Sequence, residues 1–513
     1  MTAADYEERL VRGALVNTLG LTAKLINPLY FVVITWLFGP ATVGLYFLAV
    51  FIAEVATNAA VAGFADATTV LASRHADGAP RRDTPDTPDT HSHQHLYRIL
   101  GNAFAFSMGI SLLLVPTLYA GGGLLVSLVY PDRPELETAL HILAWSIPLT
   151  ALPRLAIAAT KARMVMHHDA LITGVARPLT LLGFTLLAWL ANTGLSGLLW
   201  AIVATQIVVS MLAVRALAQH FELGRILHAI LHARPQRELL AFAVPQSINA
   251  TAFRYLSHLD VFMLAALGHG NFEIAFYATA ALIASNLREI KLIFSQALAP
   301  VAARHHAAGN QAALEETLGR VSRWTTSLVV PAILVVLVLR GDLLYLVDSG
   351  YTADSLFMVA LLVPPFLSCA FGLAGNTLIF TGHPSWTLFN SLLVVGLNTL
   401  LNLWLIPAHG LLGAAIATAL AASMISLLQL LELRYLEGIQ LRPRHVWKPH
   451  LAFALTCMVI LVLWDPAQIQ GLGNRLLAVL GLTLLYTAML AALRHEEVLS
   501  LARQVFRRIG LSS

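Results

Sequence analysis

Runs of about 18 or more apolar residues recur along almost the whole of this 513-residue chain, and each is long enough to cross a hydrocarbon core as a helix. Fourteen such spans can be drawn, at about 13–38, 41–72, 99–130, 137–160, 170–191, 194–216, 240–267, 273–301, 324–346, 355–380, 386–406, 411–433, 449–465 and 474–493. Hydrocarbon offers no partner to an open backbone group, and the sequence lacks the alternating pattern of a barrel strand, so the spans must be helical. The fold class is an all-α integral membrane protein with about 14 transmembrane helices. Charged residues make up 12% of the chain, about half of the roughly 25% usual in soluble domains, which excludes a large soluble catalytic module.

The basic residues set the orientation. With the N-terminus on the cytoplasmic side, 23 of the 32 Lys and Arg fall in inner loops and tails, including Arg81, Arg82, Arg225, Arg234, Arg320, Arg442, Arg444, Arg507 and Arg508. The outer loops hold Arg133, Arg340 and Arg475. Such asymmetry predicts cytoplasmic N- and C-termini and makes the formal net charge of +4 a matter of topology, with no nucleic-acid partner implied. The N-terminal MTAADYEERLVRGAL does not resemble a cleavable signal.

The two halves repeat. VGLYFLAVFIAE from Val43 matches IAFYATAALIAS from Ile274 with Tyr46 over Tyr277, and the basic ends ASRHADG and ARHHAAG follow at the same offset of about 231. TAKLINPL, with Lys24, falls over AFRYLSHL, with Arg254, and GLSGLLWAIVAT from Gly194 resembles GLLGAAIAT from Gly410. An even number of spans separates the copies, so they share one topology. The predicted organisation is an N-lobe at 1–218, a cytoplasmic amphipathic linker at 219–239, a C-lobe at 240–433, two further helices at 434–493 and an amphipathic tail at 494–513.

Six cations and four carboxylates lie inside the spans. At 1.5 Å per residue, Lys24, Glu54, Arg254, Arg288, Glu289 and Lys291 come near mid-depth, Arg154, Arg177 and Asp66 nearer the cytoplasm, and Asp260 toward the outside. Ala281, Ala284, Arg288, Lys291 and Ser295 share one face of a continuous eighth helix, and Ser247, Thr251, Arg254 and His258 one face of the seventh. Plain ion pairing would join Lys24 to Glu54, Arg288 or Lys291 to Glu289, and Arg254 to Asp260 or Asp66. It leaves positive charge over, which a bilayer tolerates around a water-filled cavity or an anionic ligand, and a phosphate or pyrophosphate suits several converging donors. Glu54, Asp66, Asp260 and Glu289 are candidate proton or sodium carriers. The mid-helix SNLREIKLIF, 285–294, belongs to the second half alone: its counterpart AEVATNAAVA carries Glu54 but no cation.

WLFGPATVGLYFLAV (36–50), LDVFMLAALGHGNFEIAFYATAALI (259–283) with SQALAPVAARH (295–305), and NTLLNLWLIPAHGLLGAAIATALA (398–421) resemble the polysaccharide transport (Wzx-type) family of lipid-linked oligosaccharide flippases. That family lies in the multidrug, oligosaccharidyl-lipid and polysaccharide exporter superfamily. The resemblance covers about 10–440 and implies two six-helix lobes in a V shape, MATE-like, around a cavity that opens alternately inward and outward. It implies a polyprenyl-pyrophosphate-linked oligosaccharide as substrate, moved across the inner membrane for O-antigen (lipopolysaccharide), capsule or exopolysaccharide assembly. No covalent chemistry and no cofactor are implied beyond coupling to H+ or Na+, and a polymerase and chain-length regulator are the implied partners. Carried over, the pyrophosphate-holding role falls to Lys24, Arg254, Arg288 and Lys291, with Arg154 and Arg177 beside them. Lys24 departs from a bidentate Arg, and the loop at 75–98 is an insertion.

Three other readings compete. A cation-coupled multidrug antiporter of the MATE type would favour an acidic cavity, a lipid II flippase shares the anionic cargo, and a glycan polymerase or ligase would need a long outer loop where RGDLLYLVDSGYTAD, 340–354, is short. The His-bearing DTPDTPDTHSHQH, 83–95, reads as a disordered cytoplasmic loop with no metal site. His167, His168, His305 and His306 sit at inner helix ends, Gly121, Gly122 and Gly123 mark an unwound or close-packed stretch, and Cys369 and Cys457 fill the core. VLSLARQVFRRIG reads as a helix lying on the inner leaflet.

Overall fold

A computed structural model describes residues 30–76, 90–163, 165, 167–291, 294–295, 310–347, 355–371, 373–380, 384–440, 443–463 and 471–493, and its elements there are all helical. Eight helices of the described residues are long and apolar enough to cross a membrane; residues 30–38 are the end of the first predicted span, Leu223–Leu231 lies in the predicted linker, and the other helices fall on the second through fourteenth spans. The described residues divide into two compact units, one within Thr22–Ala278 and the other within Thr279–Ser513.

In the first unit α1 covers residues 30–38. Gly39 interrupts it, and Pro40 opens α2, Pro40–Ala76, where its missing N–H costs no hydrogen bond. After α2 come α3 (Thr90–Val129), α4 (Glu135–Ala144), α5 (Ser146–Ala162), α6 (His167–Leu171), α7 (Arg177–Leu190), α8 (Gly194–His220), α9 (Leu223–Leu231), α10 (Arg237–Ala266) and the start of α11 (Asn271–Leu287). Between α6 and α7, Ile172–Ala176 is a turn of π-helix, a local widening that directly precedes Arg177. The core is apolar and close-packed: Phe64, Leu71, Leu100, Leu155, Val209, Leu217 and Leu239 bring α2, α3, α5, α8 and α10 together.

Small residues decide how near α10 comes to α2. A Cβ on Gly63 would lie 1.9 Å from the Ala243 carbonyl oxygen, so only glycine admits this approach. Within the gap Ser247 Oγ accepts from the Gly63 N–H at 3.1 Å. At the other end of these helices the turn after α3 is clasped to the turn after α10 through Arg133, 6% exposed. Its Nε donates to Asn271 Oδ1 at 2.8 Å, its Nη1 to the Ala265 carbonyl at 2.7 Å, and its Nη2 to the His269 carbonyl. Burial draws this guanidinium below its ordinary range, with Asp132 and Tyr130 opposing the shift, and burial pushes the neighbouring Tyr130 phenol up to about 12.

In the second unit Gln311–Val347 packs Leu314 and Leu318 against Leu373, Leu378, Leu433 and Ile439. Pro384–Glu437, continuous by hydrogen bonding, is two spans joined at Gly410, whose φ of 54° and ψ of −130° are not helical. Gly194, at the head of α8, also has positive φ, 59°. The two sequence repeats that begin GL therefore start on the same left-handed glycine, a conformation that a Cβ disfavours.

The structure departs from the predicted elements in several places. Residues 90–95, expected as loop, are the first turns of α3. Gly121–Gly123 stay helical and are not unwound; Gly123 alone is tight, with 2.8 Å between an added Cβ and Glu137 Oε1, while Gly121 has nothing within 4 Å. The predicted tenth span is cut between Leu356–Leu361 and Val363–Phe371, just ahead of Pro364 and Pro365, which clash with a preceding helical residue, and Leu373–Phe380 is helical as well. The predicted eighth span is not one helix. It is interrupted at Arg288, whose N–H closes on the Ser285 carbonyl at 3.1 Å while the Lys291 N–H closes on the Arg288 carbonyl at 3.1 Å, and residues 289–291 are helical again. Of the expected 340–354 outer loop, residues through Val347 are helix.

Candidate anion-binding site

The described intramembrane charges of the first unit gather on α2, α5, α7 and α10. On α2, Phe51, Glu54 and Asn58 follow one another at i, i+3 and i+7, and on α10 Thr251, Arg254 and His258 keep the same spacing, so each helix turns one polar stripe to the other. The Glu54 carboxylate Oε2 lies 3.6 Å from Arg254 Nη1 and 3.4 Å from His258 Nε2. The imidazole contact is an approach of charge-bearing atoms and lacks hydrogen-bond alignment. His258 is held there by Phe51, whose ring stacks on the imidazole with centroids 3.8 Å apart and planes 14° from parallel.

One turn further along α2, Arg154 of α5 donates Nη1 to Asn58 Oδ1 at 3.0 Å, while the Asn58 amide donates back to the Glu54 carbonyl at 2.8 Å. Arg177, at the head of α7, is within electrostatic reach of Glu54 and of Arg154. Three guanidinium groups and an imidazole thus surround one carboxylate. Arg254 and Glu54 remain 39% and 32% exposed, so the group borders open space. Excess cation beside such a space is a receptor for an anion with several oxygens, since guanidinium presents paired donors to phosphate.

The sequence-predicted residues distribute as follows. Arg254, Arg154, Arg177 and Glu54 come together. The ion-pair partner of Arg254 is Glu54, not Asp260 or Asp66: Asp66 accepts from Gln246 at 2.9 Å and Asp260 from Tyr277 at 2.7 Å. Arg154 belongs to the group through Asn58, although its place in the sequence set it nearer the cytoplasm. Arg288, Glu289 and Lys291 lie together in the second unit, half-buried, with Lys291 beside Cys369. The tightened turn at Arg288 closes hydrogen bonds three residues apart, a geometry that sets residues i and i+3 one above the other, so Arg288 and Lys291 keep to one side. Lys24, His305, His306 and the C-terminal VLSLARQVFRRIG lie outside the described residues. Asn58 and Phe51 were missed, and the shared i, i+3, i+7 stripe of α2 was the signal for both. Among the described residues no cluster of three metal-ligating side chains occurs.

A family model described as polysaccharide biosynthesis protein matches residues 92–348, just over half of the chain. A probable low-salt glycan biosynthesis flippase of Haloferax volcanii, Agl15, is 24% identical over 297 residues, 56% of this chain. The match spans 59% of that relative's length. Among solved structures the lipid II flippase MurJ in an inward closed conformation has a TM-score of 0.71 at 13% identity, covering 94% of this chain and 99% of its own. An inward-facing multidrug resistance MATE transporter follows at 0.61 and 15% identity, with 82% of this chain and 99% of its own covered. The all-helical, multi-span fold is the one these exporters share, and by the model that spans half of it the chain belongs to the polysaccharide biosynthesis protein family.

Proposed function

We propose that the chain is a flippase that moves a polyprenyl-pyrophosphate-linked oligosaccharide from the cytoplasmic to the outer leaflet of the cell's inner membrane, for assembly of a surface polysaccharide. The observation that carries the proposal is the cation excess around Glu54: Arg154, Arg177 and Arg254 against one carboxylate. The family match and the glycan flippase relative support the cargo class. A pyrophosphate entering the site takes over from Glu54 as the partner of Arg254, and the resident carboxylate keeps the guanidinium groups from repelling one another while the site is empty. The polyprenyl tail stays in the bilayer, so the protein shelters the headgroup and breaks no bond. Arg288 and Lys291 extend the same role in the second unit. Both termini are cytoplasmic, coupling is to H+ or Na+, and a polymerase with its chain-length regulator receives the cargo.

The test is the double variant Arg154→Gln with Arg254→Gln, expressed in cells lacking the native protein. Surface polysaccharide should be lost and lipid-linked oligosaccharide should accumulate on the inner leaflet, with protein abundance unchanged. The Arg→Lys double, which keeps charge but not the paired donors, should restore part of the glycan. Normal surface glycan in the Gln double rules the proposal out. A cation-driven drug antiporter predicts the reverse polarity of site, and efflux of organic cations by purified protein in vesicles is the result that would favour it.

A further inference from the structure

Far from Glu54 in the sequence of contacts, a second polar site lies where α3, α5, α8 and α9 end together. A pocket of about 970 Å3 is lined there by Gln94, Tyr97, Arg163, His220, Phe221 and Arg225, among others. None of its residues belongs to the Glu54 group. Arg163 caps α5 with its Cζ 4.2 Å above the Phe221 ring, and its Nη1 donates to the His220 carbonyl, which fixes the guanidinium and uses one of five donors. Arg225 has its Cζ 5.7 Å above the Tyr97 ring, and its Nε lies 2.8 Å from Glu222 Oε2. The neighbouring Lys161 is neutralised by Asp169 at 2.6 Å. The wall therefore carries two guanidinium groups against one exposed carboxylate.

α9 gives this pocket its setting. Its Ile226 is buried in the core, and α3 approaches so closely that a Cβ on Gly101 would sit 2.4 Å from that of Ala229. On its free side Leu223, Leu227 and Leu231 stand at i, i+4 and i+8, exposed by 39%, 58% and 75%. A short helix with one packed face and a leucine stripe left open is built to lie in a membrane interface. Leu223 both begins the stripe and lines the pocket.

We propose that this pocket holds the headgroup of an anionic phospholipid from the adjoining leaflet, its phosphate on Arg163 and Arg225 and its acyl chains along Leu223, Leu227 and Leu231. Basic pockets between helix ends at the interface are suited to anionic headgroups. Glu222 occupies Arg225 until the phosphate displaces it. A soluble phosphate would use the arginines but gain nothing from the leucines, which is why the occupant is a lipid. The site does not depend on what the protein transports.

The experiment is native mass spectrometry of the full chain in a zwitterionic detergent, titrated separately with phosphatidylglycerol and phosphatidylcholine. Phosphatidylglycerol should be retained preferentially. Arg225→Gln should weaken that retention by about five-fold, the scale of one basic residue at a charged interface, and Glu222→Gln should strengthen it by a similar factor. Arg98→Gln, exposed on α3 but outside the lining, should change nothing. Arg225 is 60% exposed, so its loss leaves the fold in place, and an unchanged unfolding midpoint in lipid-free detergent verifies this. Equal retention of the two lipids overturns the proposal, as does indifference to both pocket variants. Displacement of phosphatidylglycerol by millimolar inorganic phosphate overturns it in favour of a soluble-anion site.

Discussion

Glu54 shows how a single carboxylate can hold a cluster of cations together. Its carboxylate faces Arg254 and His258, and Arg154 and Arg177 stand within reach. Replacing it by Gln removes the shared anion and leaves three arginines to repel one another. The cost lies between that of an exposed ion pair and that of a broken buried one, about 1–3 kcal/mol, because the pair is roughly one-third exposed. The double variant Glu54→Gln with Arg254→Gln should lose less than the two single losses added, since each single change strands the other's charge. Unfolding of the four proteins of this cycle in one detergent measures the coupling, and strict additivity would mean that the two side chains do not interact. The sequence made Glu54 visible as an intramembrane carboxylate but did not pair it with Arg254, for which Asp260 and Asp66 were the expected partners. Period and depth locate a residue on a face, whereas the neighbouring helix is chosen by packing that no single span records.

At the scale of elements, the close approach of α2 and α10 is what sets those two polar stripes face to face. It rests on Gly63, over which the backbone of α10 passes with no room for a methyl. Gly63→Ala should cost about 1–3 kcal/mol, the usual penalty of overpacking, and should also disturb the Glu54–Arg254 contact nine residues away. Gly183→Ala on α7, with nothing within 4 Å of the added Cβ, should be neutral or mildly stabilising because alanine favours the helix. Comparing the unfolding midpoints of the two variants separates loss of space from loss of glycine itself. Spans were legible at this scale because hydrocarbon leaves a chain no alternative to helix, and so was the repeat, whose Gly194 and Gly410 both have positive φ. The turn at Arg288 was not. Its two hydrogen bonds are three residues apart, and a stretch that tightens in this way keeps the apolar character of a span while losing its phase.

For the whole molecule, orientation follows from charge, and the apparent exceptions strengthen the case. Arg133, Arg340 and Arg475 are the basic residues that the predicted topology leaves on the outer side. Each is engaged within its own unit. Arg133 clasps the turn after α10, Arg340 donates to Ser355 Oγ at 3.1 Å and to the Leu337 carbonyl at 2.9 Å, and Arg475 meets Asp342 at 2.6 Å. The side predicted to face the cytoplasm instead presents exposed arginines, among them Arg98, Arg215, Arg225, Arg234 and Arg237. On the predicted topology, positive charge available to lipid is therefore more one-sided than the count of residues suggests, and the positive-inside rule predicts α9 on the cytoplasmic face. With Cys369 and Cys457 replaced by Ala, single cysteines placed at Asp132 and Arg234, both exposed, report the two faces. A membrane-impermeant maleimide should label Asp132→Cys in intact cells and Arg234→Cys only after permeabilisation. Each helix traversed inverts the side, so one mistaken span between the two positions would place them on the same face, and both would then label together. The reverse pattern would invert the molecule and with it the direction of transport.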